Sequence, residues 1–465
     1  MRPRPSTKPL HRRPGPRPLA NLIRMMSILG ITVAGWLSRA PAAPSSTGEA
    51  EIYRLIREPS AEDWRALDRF NGAVTRRQFE DSLGRVFDPW SGLRAYLRIN
   101  DEGVSIYAEP GFRGPPLVTV RFARARWTST RSLQASWRPP IGAPGRPLAG
   151  LRIAIEPADI GGAWATMEDR SAEFPGYGRI QEGDLNVVVG RILRTKLEAL
   201  GAEVFLVRDT TEPILPIARQ HLLTVVERIL RDRPDSLPEA LRVRFVDHVP
   251  RTPGALRASA GILLTKTLET RARAALVRRE FRPDLTIVLQ HDATPDSSQG
   301  KLARTNRNIF FVDGAYLPSE LRDPEQRMRL LTKVFENVAP LEKAVALSIA
   351  ERFRQVTGYP PVLYGNSATT RVVEKGNLYV VARNLDFNRE HDGPVVVTEP
   401  YFMNQAETLA RLLAGDYAGV RIIAGHPFKS IFREYADCVV DGILGARDAF
   451  NRGRRGASAM RGPRR

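Results

Sequence analysis

The stretch LRIAIEPADIGGAWATMEDR, residues 151–170, indicates the fold. It begins with a short apolar run that is typical of a strand buried inside a sheet. A carboxylate, Asp159, and two glycines follow after that run. In open α/β sheets the loops that follow the strands project side chains over a shared crevice, so Asp159 is expected at the mouth of a site.

The chain beyond this stretch alternates strands with helices. The segment DLNVVVGRILRTKLEAL predicts an amphipathic helix that ends at Gly201. The next apolar strand is EVFLV, and LTIVLQ, PVVVT and VRIIAG follow later, each flanked by helical sequence. This alternation predicts an α/β domain with a mostly parallel sheet flanked by helices.

Composition divides the chain before this domain. Residues 44–148 predict a small α+β accessory domain of unassigned role, in which two short helices precede segments of alternating polarity. The Pro- and Gly-rich run RPPIGAPGRP separates it from the α/β domain, residues 149–450. The α/β domain is expected to carry a helical lid or cap at about 209–280 and a second insertion from about 294 to 356.

The first 43 residues have the order of a secretory signal peptide. Basic residues precede the apolar run MMSILGITVAGWL, and Ala40-Pro41-Ala42 follows as a cleavage site. This apolar run is short for a membrane span, which needs about twenty residues. We therefore expect export with cleavage, and membrane attachment only if the segment is retained. A true start at Met25 or Met26 is the alternative.

The net charge of +19 is concentrated at the two ends of the chain. Residues 1–43 contain eight Lys and Arg, residues 452–465 contain six, and neither segment has an acidic residue, which leaves +5 for the chain between them. Residues 451–465 are expected to form a basic flexible tail. No RNA-binding motif of interleaved aromatic and basic residues is present, so nucleic acid is not an expected partner.

The single cysteine, Cys438, excludes an intrachain disulfide and a cysteine-based metal site. It shares one side of a predicted helix with Ile431, Tyr435 and Ile443. We therefore expect it to be a core residue.

Three further polar residues fall at the same predicted edge of the sheet as Asp159. His291 follows LTIVLQ, Glu399 follows PVVVT, and Glu182 precedes the first helix. Together they place metal-binding or acid–base groups around one rim. Simpler roles remain open: Glu182 as a helix cap, His291 as a core histidine and Glu399 as part of an ion pair.

On these residues, the segment 149–445 resembles the zinc-dependent N-acetylmuramoyl-L-alanine amidases, which cut peptidoglycan. The family opens with a strand and an Asp-Pro-Gly-His-Gly-Gly block, which reads EPADIGG here. The segments EGDLN, VLQHDA and VVVTEPYFMN resemble the blocks that carry its glutamate ligand, second histidine and catalytic glutamate. The resemblance implies Glu182 and His291 as ligands of Zn²⁺, Glu399 as general base and Asn404 as a substrate contact.

The implied reaction hydrolyses the amide between N-acetylmuramic acid and L-alanine. A Zn²⁺ ion with an open coordination position lowers the pKa of its bound water to about 7 and polarises the carbonyl. Asp159 stands where the family has its first histidine ligand. Aspartate can bind zinc, but a second carboxylate weakens the metal as a Lewis acid and shifts the preference toward Mn²⁺ or Mg²⁺.

Together with this resemblance, the sequence predicts an exported, metal-dependent peptidoglycan amidase in the periplasm or cell envelope of a bacterium, with Asp159, Glu182 and His291 as ligands. Two alternatives remain open. His426, which follows VRIIAG, replaces the missing histidine, or the metal is lost and the chain is a degenerate amidase that binds peptidoglycan or a cell-envelope partner.

Four charged residues are further candidates for contacts to the substrate. Arg271 and Arg273 lie upstream of the His291 strand and are candidates for binding substrate carboxylates. Arg170 and Glu168, in the segment ATMEDR, are weaker ones.

Overall fold

The structure is a computed structural model that describes residues 46–124, 137, 145–215, 217, 219–364 and 367–459. These residues belong to one unit, Pro44–Arg465. The predicted signal peptide and most of the Pro- and Gly-rich linker lie outside the described residues. Within the described ranges, no helix is long and apolar enough to cross a membrane.

The helices and strands follow the alternation expected from the sequence. The helices are α1 (Ser46–Ile56), α2 (Ala61–Arg65), α3 (Arg76–Ser82), α4 (Glu182–Ala199), α5 (Arg219–Asp232), α6 (Glu239–Arg242), α7 (Pro253–Ile262), α8 (Glu269–Glu280), α9 (Pro324–Glu336), α10 (Ala339–Thr357), α11 (Asp386–Glu390), α12 (Ala406–Leu413) and α13 (Ile431–Ala459). The strands are β1 (Leu97–Ile99), β2 (Gly103–Ile106), β3 (Val118–Arg121), β4 (Arg152–Pro157), β5 (Ser171–Phe174), β6 (Gly178–Gln181), β7 (Glu203–Leu206), β8 (Leu285–Leu289), β9 (Asn308–Val312), β10 (Arg371–Glu374), β11 (Asn377–Ala382), β12 (Val395–Pro400), β13 (Val420–Ile423) and β14 (His426–Lys429).

A seven-stranded mixed sheet organises the α/β part in the order β10-β11-β9-β12-β8-β4-β7. The strands β7, β4, β8 and β12 are parallel to their neighbours in this run. At the other side of the sheet, β9 is antiparallel to β12 and parallel to β11, and β10 is antiparallel to β11. The predicted fold class, a mostly parallel sheet flanked by helices, is confirmed.

Helices cover both faces of this sheet. Because successive residues of a strand point to opposite faces, Ile153 and Ile155 of β4 belong to the large core under α4, α10 and α13, while Ala154 packs with Val277 of α8. Cys438 is buried in α13 within the large core, as predicted.

The N-terminal region combines α1–α3 with an antiparallel sheet of β1, β2 and β3. The helix α3 begins where Thr75 and Gln78 form a capping box. The apolar core of this region continues into the α/β part, where the ring of Phe79 stacks on that of Phe335 in α9 at 5.4 Å between centroids. The N-terminal region and the α/β part are therefore joined by a common core.

Helices α5–α8 lie between β7 and β8, in the segment predicted as a helical lid or cap. Their apolar side chains form a separate core that also takes up Ile52 of α1. A wider helical turn, Leu263–Leu268, joins α7 to α8 without interruption. This turn carries Lys266, a residue that the sequence analysis did not single out.

Three segments differ from the sequence-based expectation. VRIIAG is not a strand of the main sheet: β13 pairs with β14 in a two-stranded hairpin, because Ala424 and Gly425 both have positive φ and turn the chain straight back. The predicted second insertion contains β9, a strand of the main sheet, whose short apolar run NIFFV gives no periodicity. The helix α13 extends to Ala459, into the segment expected to be a tail.

Candidate functional site

The site lies where β4, β8 and β12 end and α4 begins. Asp159 follows β4, His291 follows β8, Glu399 lies near the end of β12, and Glu182 is the first residue of α4. The structure brings these four predicted residues to one edge of the sheet, because β4, β8 and β12 run in the same direction.

The turn after β4 is held by contacts that require its residue types. Asp159 has a φ of 58°, in the left-handed region that aspartate tolerates better than most residues. The guanidinium of Arg208 donates to the carbonyl oxygens of Pro157, at 2.9 Å, and of Asp159. A Cβ atom on Gly161 would lie 1.8 Å from Oδ1 of Asp184 in α4, so only glycine fits beside this helix.

Asp159 is fully buried and surrounded by donors. Its carboxylate lies 3.4 Å from Nζ of Lys266, 3.5 Å from Nε of Arg170 and 3.4 Å from Nε2 of Gln290. Burial alone would raise the pKa of Asp159, but Lys266 and Arg170 outweigh burial and hold this pKa well below its usual range. Asp159 therefore keeps its negative charge although it is buried, because two cations lie against it.

Glu182 lies beside Asp159 but has the opposite protonation tendency. Its Oε1 accepts a hydrogen bond from the backbone N–H of His291 at 3.0 Å, and its Oε2 lies 3.2 Å from Nε of Arg170. Burial and the charge of Asp159 raise the pKa of Glu182 well above its ordinary value. Of these two neighbours, Asp159 thus favours the ionised form, and the pKa of Glu182 is shifted toward the protonated form.

His291 has a fixed orientation. Its Nδ1 lies 2.8 Å from Oδ1 of Asn186, and Asn186 donates through Nδ2 to the carbonyl of Ala158 at 2.9 Å. Because the Asn186 amide nitrogen is used in this way, its oxygen accepts, and the proton of His291 is assigned to Nδ1. Burial lowers the pKa of His291 to about 3, so the ring is neutral and Nε2 carries a lone pair.

Glu399 faces the same cavity as His291. Burial and the neighbouring carboxylate of Asp292 raise the pKa of Glu399 to about 8. Burial likewise raises the pKa of Asp292 to about 7. With pKa values of about 7 and about 8, Asp292 and Glu399 exchange protons near neutral pH, so this pair can donate as well as accept hydrogen bonds.

A cavity of about 1730 Å³ opens at this edge of the sheet. Three parts of the chain form its walls: the N-terminal region from Glu58 to Leu117, the helical insertion from Glu239 to Lys266, and the loops that follow the strands. Glu182, His291 and Glu399 line this cavity, whereas Asp159 does not.

The side chains of the site do not fit a divalent metal ion. Zinc ligands must be deprotonated and approach the metal to about 2 Å. Here the carboxylates of Asp159 and Glu182 are engaged by Arg170, and Asp159 is engaged by Lys266 as well. In the part of the chain that the structure describes, no three His, Cys, Asp or Glu side chains are arranged to hold a metal ion. The predicted set Asp159, Glu182 and His291 lies together but does not form a ligand set for Zn²⁺ or Mn²⁺.

The predicted substrate-binding residues have structural contacts instead. Arg271 is buried and pairs with Glu325 and Glu390, and Arg273 is buried against Glu156 and Glu269. Neither lines the large cavity, because α8 turns both side chains into the interior.

The other two predicted residues, Asn404 and His426, do not line the cavity either. Asn404 is fully buried and donates to Thr294 Oγ1 at 2.7 Å and to the carbonyl of Lys301 at 2.9 Å, so it fixes the loops that follow β8 and β12. His426 is exposed in the β13–β14 hairpin, where its ring contacts Phe428. The hairpin position contradicts the alternative in which His426 replaces the missing histidine.

Sequence reasoning missed most of the residues that surround Asp159. The sequence predicts Arg170 and Glu168 only as possible substrate contacts, and no sequence pattern marks Lys266 or Gln290. Lys266 comes from the helical insertion, 107 positions away from Asp159, and no local motif marks it. An arginine after a double-glycine turn is the one signal that could have pointed to Arg170.

Comparison with known proteins gives a likeness of fold. No protein-family model matches the chain, and no curated protein matches it. The N-acetylmuramyl-L-alanine amidase Ami1 from Mycobacterium smegmatis is 14% identical, with 65% of this chain and 98% of that chain covered and a TM-score of 0.35. The CwlD amidase from Clostridioides difficile, solved in complex with the GerS lipoprotein, is 12% identical, with 64% and 99% covered and a TM-score of 0.33. The catalytic domain of CwlV, an N-acetylmuramoyl-L-alanine amidase from Bacillus (Paenibacillus) polymyxa var. colistinus, is 12% identical, with 64% and 98% covered and a TM-score of 0.33.

Proposed function

We propose that the chain is an amidase-like protein that binds peptidoglycan in the large cavity without hydrolysing it. The observation that carries the proposal is the position of Asp159, which is buried behind the cavity while Glu182, His291 and Glu399 line it. A catalytic metal needs protein ligands around one open coordination position. One of the three expected ligands lies outside the space that a substrate would enter.

The order of the sequence blocks supports peptidoglycan as the ligand. The blocks EPADIGG, EGDLN, VLQHDA and VVVTEPYFMN resemble those of peptidoglycan amidases and follow one another in the same order. The secretory pattern of residues 1–43 would bring the chain to the periplasm, where peptidoglycan lies.

The size and lining of the cavity support a ligand larger than a single sugar or amino acid. Pockets for drug-sized ligands measure about 300–1000 Å³, and this cavity of about 1730 Å³ exceeds that range. Arg322 and Arg383 line it and can pair with the carboxylates of a stem peptide, and Tyr364, beside Arg383, offers a ring to a sugar.

Pelleting with insoluble peptidoglycan tests the proposal. We expect the wild-type chain to pellet with purified sacculi with or without a chelator, and to release no soluble stem peptide even when Zn²⁺ is supplied. Arg383→Gln, which removes a charge from the cavity, should weaken pelleting several-fold. Arg354→Gln is the matched control, because Arg354 is exposed on α10 and pairs with Glu351 away from the cavity. It should pellet like the wild type.

Two results would contradict the proposal. Equal pelleting of the Arg383→Gln and wild-type chains, or no pelleting of either, would exclude the cavity as a peptidoglycan site. Release of stem peptide by the wild type, lost on Glu399→Gln, would instead support the metal-dependent amidase that the sequence predicts.

A further inference from the structure

Two cations lie between the carboxylates of the site. Nε of Arg170 lies 3.5 Å from Oδ1 of Asp159 and 3.2 Å from Oε2 of Glu182. Nζ of Lys266 lies 3.4 Å from the same Asp159 oxygen and 3.6 Å from Oε1 of Glu168. A guanidinium thus bridges Asp159 to Glu182, and an ammonium bridges Asp159 to Glu168.

The backbone holds Arg170 in this position. The N–H of Arg170 donates to the carbonyl of Ala165 at 2.8 Å, and the N–H of Glu182 donates to the carbonyl of Arg170 at 3.1 Å. Arg170 is therefore tied to the residue that its side chain contacts. The side chain of Arg170 thus starts from backbone that is fixed beside the start of α4, within reach of Glu182.

Lys266 reaches the site from a different part of the chain. It belongs to the wide turn Leu263–Leu268, in the helical insertion. Buried apolar neighbours, Leu264 and Leu268, anchor this turn in the core of the insertion. The packing of the insertion thus delivers a positive charge to Asp159.

These two positive charges oppose a bound metal. A divalent ion that used oxygens of Asp159 or Glu182 would lie within a few ångströms of both cations, in a place where burial keeps screening by water weak. The same oxygens already interact with the guanidinium and the ammonium, which together supply two positive charges to the three carboxylates.

We infer that Arg170 and Lys266 are built-in cations that take the place of a metal ion, so that the site is complete without one. This inference deepens the proposed function. It rests on that proposal for one point, namely that the cavity binds its ligand without a metal ion that would activate the ligand for hydrolysis. It concerns metal binding alone, so its test does not depend on peptidoglycan.

Calorimetric titration of the chelator-treated full chain with ZnCl₂ tests the inference. We expect no stoichiometric binding to the wild type. The double variant Arg170→Gln/Lys266→Met frees the carboxylates and should raise the affinity for Zn²⁺ by about 10- to 100-fold. Adding His291→Ala to that variant should remove the gain, because His291 Nε2 is the free nitrogen of the site.

A matched control changes the same residue types on the surface. Arg179 pairs with Glu173 and Lys301 pairs with Asp296, and all four side chains are exposed. The double variant Arg179→Gln/Lys301→Met should behave like the wild type in the titration.

Two outcomes would overturn the inference. One is stoichiometric Zn²⁺ binding by the wild type that His291→Ala abolishes. The other is a folded Arg170→Gln/Lys266→Met variant with no gain in affinity. If that variant does not fold, two other measurements decide: the Zn²⁺ affinity of Lys266→Met and the effect of ZnCl₂ on the wild-type melting temperature. A metal that binds the native state raises that temperature, so we expect a gain in affinity for the variant and no rise in melting temperature for the wild type. Failure of the pelleting experiment alone would reject peptidoglycan and leave this result standing.

Discussion

Two ionic clusters lie three residues apart at the end of β4, and only one of them faces the cavity. Glu156 and Asp159 are both fully buried. Glu156 pairs with Arg273 and His391, in a cluster enclosed by protein on every side. Asp159 pairs with Arg170 and Lys266, which both line the cavity. Charged groups in the interior therefore do not by themselves identify a ligand site, whereas their access to a cavity does.

A substitution in the enclosed cluster around Glu156 should have the largest effect on stability. Arg273 is 1% exposed and pairs with Glu156 at 3.5 Å and Glu269 at 3.1 Å. Arg273→Met removes the arginine from two buried carboxylates, which should lower the free energy of unfolding by about 3–5 kcal/mol. Glu156 then keeps its contact with His391, and Glu269 keeps its contacts with backbone N–H groups. Urea denaturation measures this change. A decrease of less than about 1 kcal/mol in the free energy of unfolding would show that the ion pairs of Arg273 contribute little to stability. The contrast between the enclosed cluster and the cluster at the cavity would then fail.

Lys266→Met tests the same comparison in the cluster that faces the cavity. The side chain of Lys266 is 24% exposed and lines the cavity, so water can partly replace its contacts with Asp159 and Glu168. We expect a loss of about 1–2 kcal/mol in the same experiment. A loss as large as that of Arg273→Met would mean that both clusters are equally enclosed.

The stability of the chain should fall as the pH rises from 5 to 8. Burial raises the pKa of Glu342 to about 7, and burial together with Asp292 raises that of Glu399 to about 8. Between the unfolded pKa of about 4.3 and these values, the native state holds protons that the unfolded state has lost, so a rise in pH favours unfolding. Each such group should lower the free energy of unfolding by about 1–3 kcal/mol as the pH rises from 5 to 8.

Thermal or urea unfolding at several pH values measures this slope. Glu342→Gln should reduce it, because glutamine does not titrate yet can still accept the N–H of Val395. Below pH 4 the sign reverses for Glu390: burial would raise its pKa, but Arg271 and Arg329 hold it at about 2, so stability is lost as the pH falls toward that value. A stability that rises from pH 5 to pH 8 would contradict this account.

The smallest effect concerns the tautomer of His291. Nitrogen NMR should show a neutral ring protonated at Nδ1 down to pH 5, because its pKa is lowered to about 3 by burial. Asn186→Leu removes the acceptor of that proton and should produce a mixture of tautomers, with little change in fold. Protonation of the wild-type ring near pH 6.5 would indicate that His291 is exposed to water.

The fold could be predicted from the sequence because its signals are local. The apolar strands β4, β8 and β12 and the amphipathic α4 each carry their own pattern, and their alternation gives a mostly parallel sheet. The hairpin β13–β14 was misread because its two-residue turn, Ala424-Gly425, has no typical turn sequence. The strand β9 was missed because an apolar run of five residues fits a helix or a strand equally well.

The candidate site could be predicted only in part. Strand ends and motif order indicated Asp159, Glu182, His291 and Glu399, and the structure places all four at one edge of the sheet. The partners of Asp159 come from distant parts of the chain, and a single sequence does not indicate which lysine of a helical insertion packs against a given carboxylate. The sequence also does not indicate that the side chains of Arg271 and Arg273 point into the interior, because both faces of α8 carry charged residues.

Two parts of the cavity wall belong to segments that take no part in the ion pairs around Asp159. Residues from Glu58 to Leu117 and from Glu239 to Arg244 shape the space, while the ion pairs around Asp159 involve neither segment. Substitutions in those walls can alter which molecule fits and leave the electrostatics of the strand ends unchanged.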